Sequence, residues 1–597
     1  MIALEKFKCS KDFFYRILKS LFSWIFPLII LIWKISPQLG SLRIPMDTQV
    51  TYFPLAKQLL SDPGSFFSSE LSTSSAPGIY VYMALFGADV AKLEYFNLLM
   101  AISILFLVFD AGRRIGGSIS GAAAAWIYAC SPLLTAYAIS PQSEPLFIFL
   151  CTLWFWATAR MAVGINRKIT LILIVFVAGV ALAAATLTRG TYIYWIPAVI
   201  LVALFISWRG PYAWKILANR ILASHILAFA LVAVFMAHNN VSFGRSLIAT
   251  GAGAALYFGN NPVLDGYEPP YFNLMHDNAS VLRTDISHLS LAGDERLMAV
   301  TKEMLRDTPL PILARMYFQK LGAVLFFSKI NISRTLINHR FWRILLLTLS
   351  VVGAWFMRKQ AIVIFLTGAL VYQTAVHIPV LYNDRYSISA LEILITLLAA
   401  SGIGALAKKC RNSQFKYLIW TIFIIAAGTL IGSYHQRYTS PLMPDLSQGP
   451  HSLLLAAKTN QLEYHHWSRN PWSEVAYAKS TTPSIIWKDI DLEWNALAIL
   501  RLQVKSLDKR CTALDISFER ENIPISNYRL DLRGRNTEDD ITQGVASLIP
   551  VGTTPIGDLR LVFTCPAGAE AHFDGIALYI ASMGAYYWQK IRHQFEP

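Results

Sequence analysis

The most constraining feature of this chain is a series of long apolar stretches that recur along most of its length. A helix needs about 20 residues to cross the roughly 30 Å of hydrocarbon in a bilayer. Stretches of that kind predict a polytopic α-helical membrane protein with about eleven spans, because 55% of the residues are hydrophobic and only 15% are charged. The predicted span centres lie near residues 28, 102, 128, 154, 178, 199, 228, 349, 370, 397 and 426.

The positions of Lys and Arg predict the orientation in the membrane. Short cytoplasmic connections carry an excess of these residues, and with eleven spans the basic segments of this chain all fall on one side. We therefore expect a multi-pass protein of the inner (plasma) membrane, with its amino terminus in the cytoplasm and its carboxy-terminal region in the periplasm or extracellular space. The basic segments are residues 6–19, 113–114, 167–168, 209–220, 358–359 and 408–416.

The first apolar stretch, Leu21 to Ile35, follows the basic amino-terminal arm and has no Ala-x-Ala cleavage site. This pattern favours a retained membrane helix over a cleavable signal peptide. The formal net charge of +15 is concentrated in the predicted cytoplasmic turns, where topology explains it. No nucleic-acid partner is expected.

The predicted topology leaves three long segments outside the membrane. These are residues 38–92, 237–340 and 436–597. Residues 1–435 form the predicted membrane domain, and the first two segments are its external loops. The second loop contains two helix-like stretches and many aromatic residues, which indicates an ordered cap over the helices rather than a disordered linker. Residues 436–483 are predicted to link this domain to a second one.

The pattern changes to short alternating apolar and polar runs from about residue 484. Runs of this period, separated by Gly, Asn and Pro turns, predict an external β-sandwich over residues 484–597. Cys511 and Cys565 both fall in this region, where an oxidising compartment allows a disulfide between them. Their spacing alone does not fix their distance, so the pairing stays open.

Polar and charged residues gather at the predicted external ends of the spans. Such groups are costly to dehydrate in a membrane protein, which makes them functional candidates. A collection of carboxylates and arginines on one side also suits a site for a charged substrate. The set comprises Asp47, Lys57, Glu144, Arg189, Asn260, Asn261, His377, Asp384, Arg385 and Tyr386.

Several motifs, in their order along the chain, resemble those of the GT-C glycosyltransferase superfamily. The nearest branch is that of protein mannosyltransferases and lipid A aminoarabinose transferases. The resemblance covers roughly residues 15 to 435 and leaves out the carboxy-terminal region. The motifs are Asp47 after the first span, Ser143-Glu-Pro-Leu-Phe147, Leu187-Thr-Arg-Gly190, Gly259-Asn-Asn-Pro262 and Asn383-Asp-Arg-Tyr386.

This resemblance implies transfer of a sugar from a polyprenyl-phosphate carrier to an acceptor on the external face, with inversion at the anomeric carbon. Asp47 matches the acid of the first loop, which acts as general base or orients the acceptor. An acceptor hydroxyl gains from a positioned carboxylate, whereas a phosphate leaving group mainly needs its charge neutralised. Glu144 matches the second acidic position, where many relatives have Asp. Glu144 is alternatively a residue that complements the dipole at the start of the fourth span.

Arg385 is the preferred ligand for the lipid phosphate, with Tyr386 as a hydrogen-bonding neighbour, because a guanidinium grips phosphate oxygens in a planar fork. Arg189 corresponds to the arginine of the family's Thr-Arg-Pro segment. Gly190 replaces the usual proline in this chain, which leaves the geometry of Arg189 open. Alternatively, Arg189 anchors its span at the membrane surface.

Other polar residues are weaker candidates for substrate binding. Lys57 and Lys320 are alternative phosphate ligands, although lysines on amphipathic helices usually anchor at the membrane surface. Asn260 and Asn261 are candidates for hydrogen bonds to the sugar, and Asn-Asn-Pro is equally typical of a turn.

The sequence predicts no obligatory metal site. It contains no H-E-x-x-H or D-x-D motif, and a lone histidine such as His276 or His377 is more often structural than a metal ligand. A weakly held divalent cation between the acid and the phosphate stays an open alternative.

Two further functional classes fit a chain of this kind. A transporter or flippase of lipid-linked sugars is expected to carry charges near mid-span, and a glycan-binding membrane receptor would use mainly the β-sandwich. The one-sided charges favour the enzyme. Its expected partners are a polyprenyl-phosphate-linked sugar, membrane lipid, and an acceptor glycan, lipid or protein.

Overall fold

The computed structural model divides into a helical part and a β-sheet part. Helices occupy its described residues up to 409, and strands occupy those from 452 onwards. The described residues are 20–40, 44–45, 47–163, 167–260, 287, 289–326, 339–409, 452–458, 461–469, 475–491, 497–520, 523–532, 541–546 and 556–581.

The helical part is an array of long apolar helices joined by short helices. Short π-helical and 3-10 segments lie at Leu21–Ile25, Ser36–Gln38, Thr48–Tyr52, Glu70–Thr73 and Gly190–Tyr192. The α-helices are α1 (Phe26–Ile35), α2 (Phe53–Ser61), α3 (Pro63–Ser68), α4 (Pro77–Leu85), α5 (Val90–Gly116), α6 (Ser118–Cys130), α7 (Pro132–Tyr137), α8 (Ser143–Ala162), α9 (Lys168–Thr188), α10 (Trp195–Arg209), α11 (Tyr212–Phe243), α12 (Ala252–Asn260), α13 (Leu291–Asp307), α14 (Leu310–Phe326), α15 (His339–Phe356), α16 (Ala361–His377) and α17 (Asp384–Lys409).

Seven segments among the described residues are long and apolar enough to cross a membrane, judged by length and composition. They contain seven of the predicted span centres, and three shorter apolar helices, α6, α15 and α16, contain three more. The predicted span near residue 426 lies outside the described residues. The chain is a multi-pass membrane protein as predicted, and its described residues contain seven full-length candidate spans, so the predicted number of eleven is not confirmed. The seven segments are Leu21–Gln38, Val90–Gly116, Ser143–Ala162, Lys168–Thr188, Gly190–Arg209, Trp214–Phe243 and Leu391–Lys409.

Two glycines fix the position of α17 in the array. An added Cβ at Gly353 of α15 would overlap the Leu398 carbonyl, and one at Gly402 of α17 would overlap the Leu349 carbonyl. Small residues of this kind let membrane helices cross at close range, where van der Waals packing holds them together. Because α17 begins at Asp384, this crossing also fixes the position of the residues in its first turn.

The cap predicted in the second loop is built from α12, α13 and α14. Its two predicted helix-like stretches correspond to α13 and α14. Asp294 in the first turn of α13 accepts hydrogen bonds from the backbone N–H groups of Gly251 and Gly253, at 2.8 and 2.7 Å. A carboxylate in this position satisfies donors that the start of α12 leaves unpaired. The two helices are thereby joined.

The carboxy-terminal part consists of two antiparallel sheets. One has the strand order β3-β4-β11-β6-β9 with β1 also pairing β11, and the other has the order β2-β5-β10-β7-β8. The alternating runs predicted from about residue 484 onwards correspond to β5 through β11. The strands are β1 (Ser452–Lys458), β2 (Glu463–His465), β3 (Trp467–Arg469), β4 (Val475–Ala478), β5 (Ser484–Asp491), β6 (Leu497–Leu507), β7 (Ala513–Arg520), β8 (Ile523–Asp531), β9 (Ile541–Ala546), β10 (Ile556–Thr564) and β11 (Glu570–Ala581).

The segment predicted as a linker, residues 436–483, contains β1 to β4, so the sheets begin at Ser452 and not at 484. These strands escape a search for alternation because β1 reads Ser-Leu-Leu-Leu-Ala-Ala-Lys and β2 and β3 have only three residues each. Their pairing with β11, β5 and β4 defines them.

The two sheets pack face to face through aromatic side chains. Phe563 of β10 lies with its ring centroid 5.7 Å from that of Trp467 and 5.4 Å from that of Phe573, which belong to the other sheet. Cys511 and Cys565 form a disulfide next to this core. The pairing that the sequence left open is therefore formed, within a two-sheet sandwich of the predicted kind.

Candidate active site

Four separate segments meet at one end of the helical array. The first loop supplies Asp47, the start of α8 supplies Glu144, the end of α9 supplies Arg189, and the start of α17 supplies Arg385. Their side chains form one row of alternating charges, in the order Asp47, Arg385, Glu144, Arg189.

Asp47 lies directly before the π-helical turn Thr48–Tyr52. The buried hydroxyl of Thr48 donates a 2.6 Å hydrogen bond to the Pro141 carbonyl, just ahead of α8. This bond holds the first loop against the segment that carries Glu144. The Asp47 side chain is 45% exposed, so it is the accessible end of the row.

Arg385 joins the two carboxylates. Its Nη2 donates a 2.6 Å hydrogen bond to Asp47 Oδ2, and its Nε lies 3.1 Å from Glu144 Oε1. Burial opposes its charge, but Glu144 and its other anionic neighbours outweigh burial and raise the pKa of Arg385 above its ordinary value. Arg385 is therefore a permanent cation, with a side chain that is still 16% exposed.

Glu144 is fully buried and contacts both arginines. Nη2 of Arg189 donates to its Oε1, the same oxygen that faces Arg385. Glu144 also lies in the first turn of α8, a position from which its carboxylate complements the helix dipole. Two close guanidiniums are the stronger partners, because charge-assisted bonds in a buried setting exceed a helix-dipole contribution.

Arg189 lies inside the site and is not a surface anchor. Its Nε donates to Ser143 Oγ at 3.1 Å and its Nη1 donates to Ser389 Oγ at 2.5 Å. The ring of Tyr386 lies between the two arginines, 5.1 Å from Cζ of Arg189 and 5.4 Å from Cζ of Arg385. Cations at this distance from an aromatic ring are attracted by its electron-rich face.

Tyr52, Ser143 and Ser389 belong to the site but were not predicted from the sequence. Burial, followed by the nearby Glu144 carboxylate, raises the pKa of Tyr52 to about 12. Tyr52 is therefore a neutral phenol near the row and keeps its hydroxyl proton. Its position five residues after Asp47 was the available signal, because both residues belong to one short helical segment.

Two other predicted residues, Lys57 and Asn260, lie outside the charged row. Lys57 is exposed on α2, which agrees with the anchor alternative. Asn260 is buried and donates from Nδ2 to the Leu256 and Pro379 carbonyls at 2.7 and 2.9 Å. Both of its N–H groups are thereby used within the protein. Asn261 lies outside the described residues.

Lys320 differs from the expected surface anchor because its side chain is fully buried. Its Nζ donates a 2.6 Å hydrogen bond to the Gly259 carbonyl, and burial lowers its pKa to about 7. His377 is also buried, and its Nδ1 pairs with the Gln373 carbonyl at 2.6 Å. His276 lies outside the described residues.

Among the described residues there is no group of three or more His, Cys, Asp or Glu side chains placed to hold a metal ion. The expectation of no obligatory metal, and the alternative of a weakly held divalent cation, both stay predictions.

An apolar groove lies between α10, α11 and α16. Its volume is about 300 Å³, and its lining includes Trp195, Ile206, Trp214, Phe365 and Gly368. Tyr372 of α16 lies one helical turn beyond Gly368 and donates a 2.7 Å hydrogen bond to the Thr191 carbonyl, in the turn that follows Arg189. An apolar groove of this kind is suited to a lipid tail.

No protein-family model matches the chain, and no curated protein sequence matches it. Several solved structures resemble it. The archaeal oligosaccharyltransferase AglB from Archaeoglobus fulgidus, in complex with an inhibitory peptide and a dolichol-phosphate, is 10% identical with a TM-score of 0.39. That comparison covers 70% of this chain and 55% of AglB, so this chain matches just over half of the archaeal enzyme.

Two bacterial enzymes also resemble the chain. ArnT from Cupriavidus metallidurans bound to undecaprenyl phosphate is 12% identical, with a TM-score of 0.28 over 66% of this chain and 78% of ArnT. The arabinosyltransferase EmbB from Mycobacterium smegmatis is 13% identical, with a TM-score of 0.28 over 94% of this chain and 65% of EmbB. All three are GT-C enzymes. All three TM-scores are below 0.5.

Proposed function

We propose that this protein is a membrane glycosyltransferase that moves a sugar from a polyprenyl-phosphate donor to an acceptor hydroxyl on the external face. The observation that carries this proposal is the 2.6 Å contact between the half-exposed Asp47 carboxylate and the Arg385 guanidinium. A base for a hydroxyl and a ligand for a phosphate thereby stand side by side above a bundle of apolar helices.

The chemistry is a single displacement. The acceptor oxygen attacks the anomeric carbon and transfers its proton to Asp47, while the bond between that carbon and the phosphate oxygen breaks. The polyprenyl phosphate leaves with the bonding electron pair, and Arg385 neutralises the charge that develops on it. Attack opposite the leaving group inverts the anomeric configuration.

The resting site keeps Asp47 occupied. In the resting site Arg385 donates a hydrogen bond to Asp47 Oδ2, so this oxygen is not free to receive the proton of an acceptor hydroxyl. A donor phosphate is a strong competitor for the same guanidinium, and its arrival frees Asp47. Glu144, 3.1 Å from the Arg385 Nε, keeps the guanidinium in place during this exchange. The donor therefore binds before the acceptor is activated.

The surroundings fit a lipid-linked donor. The apolar groove between α10, α11 and α16 accommodates part of the polyprenyl chain, and Lys57 on α2 anchors at the surface of the inner (plasma) membrane. We assign the β-sandwich to the external compartment, since the Cys511–Cys565 disulfide suits an oxidising environment. The acceptor is a glycan, a lipid or a protein.

A transporter of lipid-linked sugars is the second candidate, and a buried ion pair favours it. Nε of Arg343 in α15 donates a 2.6 Å hydrogen bond to Glu392 Oε1 in α17, and both side chains are fully buried. Charges inside a helical membrane domain often belong to a substrate pathway. Glu392 lies only about 10 Å along α17 from Arg385, at 1.5 Å per residue, so the pair is not at mid-span.

Sugar transfer by the purified full-length protein from defined polyprenyl-phosphate sugars tests the proposal. We expect transfer by the wild type, a loss of at least about 100-fold in kcat with Asp47→Asn, and a large rise in the donor KM with Arg385→Ala. Lys57→Met, which changes an exposed lysine outside the row, is the control and should be nearly wild type.

Unchanged transfer by Asp47→Asn would show that Asp47 is not the base. Absence of transfer with every donor, combined with movement of the donor across liposomes, would replace the enzyme by the transporter. Release of free sugar without an acceptor would leave the donor assignment intact and point to water as the acceptor.

A further inference from the structure

We infer that Asn260, Tyr317 and Lys320 are positioning residues that set the place of the Arg385 guanidinium, an inference that rests on the proposed role of Arg385 as phosphate ligand. None of the three belongs to the charged row. They join the external cap to the short segment that leads into α17. Their contacts hold the chain upstream of Arg385, and a separate contact of α14 holds it downstream.

The end of α12 holds the segment upstream of Arg385. Asn260 Nδ2 donates to the Pro379 carbonyl at 2.9 Å, and the backbone N–H of Leu381 donates to the Ala255 carbonyl at 2.8 Å. An added Cβ at Gly259 would overlap the backbone of Val380. The two segments therefore pack backbone against backbone, and a shift of α12 moves the segment with it.

Two side chains of α14 in turn hold the end of α12. The hydroxyl of Tyr317 donates to Asn260 Oδ1, and Lys320 Nζ donates to the Gly259 carbonyl at 2.6 Å. Residues three apart lie on the same face of a helix, so both reach α12 from one side. The Lys320 ammonium is also 5.9 Å from the centroid of the Tyr317 ring.

The same helix holds the chain downstream of Arg385. Ser387 Oγ donates a 2.7 Å hydrogen bond to the Val324 carbonyl of α14. Arg385 therefore lies between two points that are both tied to α14, one through α12 and one directly. Between these two points, Asn383 Oδ1 accepts a 3.0 Å hydrogen bond from the Arg385 backbone N–H.

The burial of Lys320 supports a positioning role over a direct ligand role. A lysine with no exposed surface pays a desolvation cost, and the hydrogen bond it makes in the described part of the chain goes to a backbone carbonyl of α12. Small errors of position are expensive at a reacting centre, since a 1 Å misplacement reduces catalysis by about 100-fold. Contacts that hold the chain on both sides of Arg385 limit such displacement.

Tyr317→Phe is the sharpest test because it removes one hydroxyl and keeps the ring. Binding of a short-chain polyprenyl phosphate to the full-length protein is measured by titration calorimetry, together with kcat and KM for the donor. We expect an affinity loss on the order of tenfold, as for a fraction of an ångström of displacement, and a rise in the donor KM. Tyr212→Phe, which changes an exposed phenol, is the matched control.

The comparison that separates positioning from general stability uses an Arg385→Lys background, where the planar fork is already lost. In that background the Tyr317→Phe substitution should change the affinity for polyprenyl phosphate by less than about twofold, because lysine has no planar guanidinium whose position Tyr317 could set. Lys320→Met provides a second variant with the same expected pattern if Tyr317→Phe fails to fold.

Equal losses in both backgrounds would overturn the inference and leave the proposed function standing. An unchanged affinity in Tyr317→Phe and in Lys320→Met would overturn it as well. If the wild type itself does not bind polyprenyl phosphate, the proposed function fails first, and the inference fails with it.

Discussion

Replacement of Glu144 by glutamine removes a fully buried carboxylate that contacts two guanidiniums. Arg189, which is only 12% exposed, and Arg385, which is 16% exposed, would then each lose a negative partner. Removal of one partner from a buried ion pair usually costs about 3–5 kcal/mol, because a charge is left buried without compensation. If Glu144 served only the dipole of α8, the cost would be about 0.3–1 kcal/mol.

The measurement is the unfolding temperature of the purified protein in one detergent, for the wild type and Glu144→Gln. Asp89→Asn is the matched control, because Asp89 precedes α5, accepts a hydrogen bond from the Lys92 backbone N–H at 3.2 Å and is about half exposed. Loss of such a cap costs about 1 kcal/mol. We expect Glu144→Gln to lower the unfolding temperature several times more than the control does.

A second substitution tests the cause of that loss. Arg189→Met in the Glu144→Gln background removes one uncompensated guanidinium and should recover part of the stability, so the two changes are not additive. If Glu144→Gln is no more harmful than Asp89→Asn, or if the double variant shows the plain sum of two losses, the charged row does not hold the site together as described.

Four further predictions address other parts of the molecule. If donor phosphate frees Asp47, initial-rate patterns should show the donor binding first, and random-order kinetics would contradict this. Burial lowers the pKa of Lys320 to about 7, so between pH 7 and 10 the unfolded chain holds a proton on this lysine that the folded chain lacks. The free energy of unfolding should therefore rise with pH by about 1.4 kcal/mol per unit in this range. Lys320→Met should lack that rise, so the difference in unfolding temperature between the variant and the wild type should change between pH 7 and pH 9. Gly368→Leu should fill the apolar groove beside Trp195 and weaken binding of long-chain but not short-chain carriers, and equal effects on both would refute a tail site. Cys511→Ser opens a loop closed across 54 residues of sequence and should cost the β-sandwich about 4 kcal/mol, measured by unfolding in denaturant; a cost below about 1 kcal/mol would show that the bond adds little.

The sequence was sufficient to predict the spans and most of the strands, because each is a local pattern of apolar residues with its own period. The one-sided distribution of charges was also predictable, since span ends and basic turns fix which residues share a face. The contact between Arg385 of α17 and Asp47 of the first loop was not predictable from the sequence. Arg385 and Asp47 are 338 residues apart, and no local pattern reports a contact over that separation.

The residues whose placement differs from expectation show the same limit. Lys320 has the spacing of an exposed lysine on an amphipathic helix, but packing of α14 against α12 buries it. Asn260 reads as either a turn residue or a sugar ligand, and its partners Pro379 and Tyr317 come from distant segments. Tertiary contacts decided both cases.

The alternating row has a consequence for which molecules can occupy the site. Asp47 and Glu144 balance Arg385 and Arg189, so the four side chains together carry no net charge. Free inorganic phosphate gains little from a neutral row, because each guanidinium it meets is already paired. A donor held in the membrane by its own chain arrives at a high local concentration and exchanges partners without leaving. Under the proposed function, the neutral row therefore favours a phosphate carried by a membrane lipid over free inorganic phosphate.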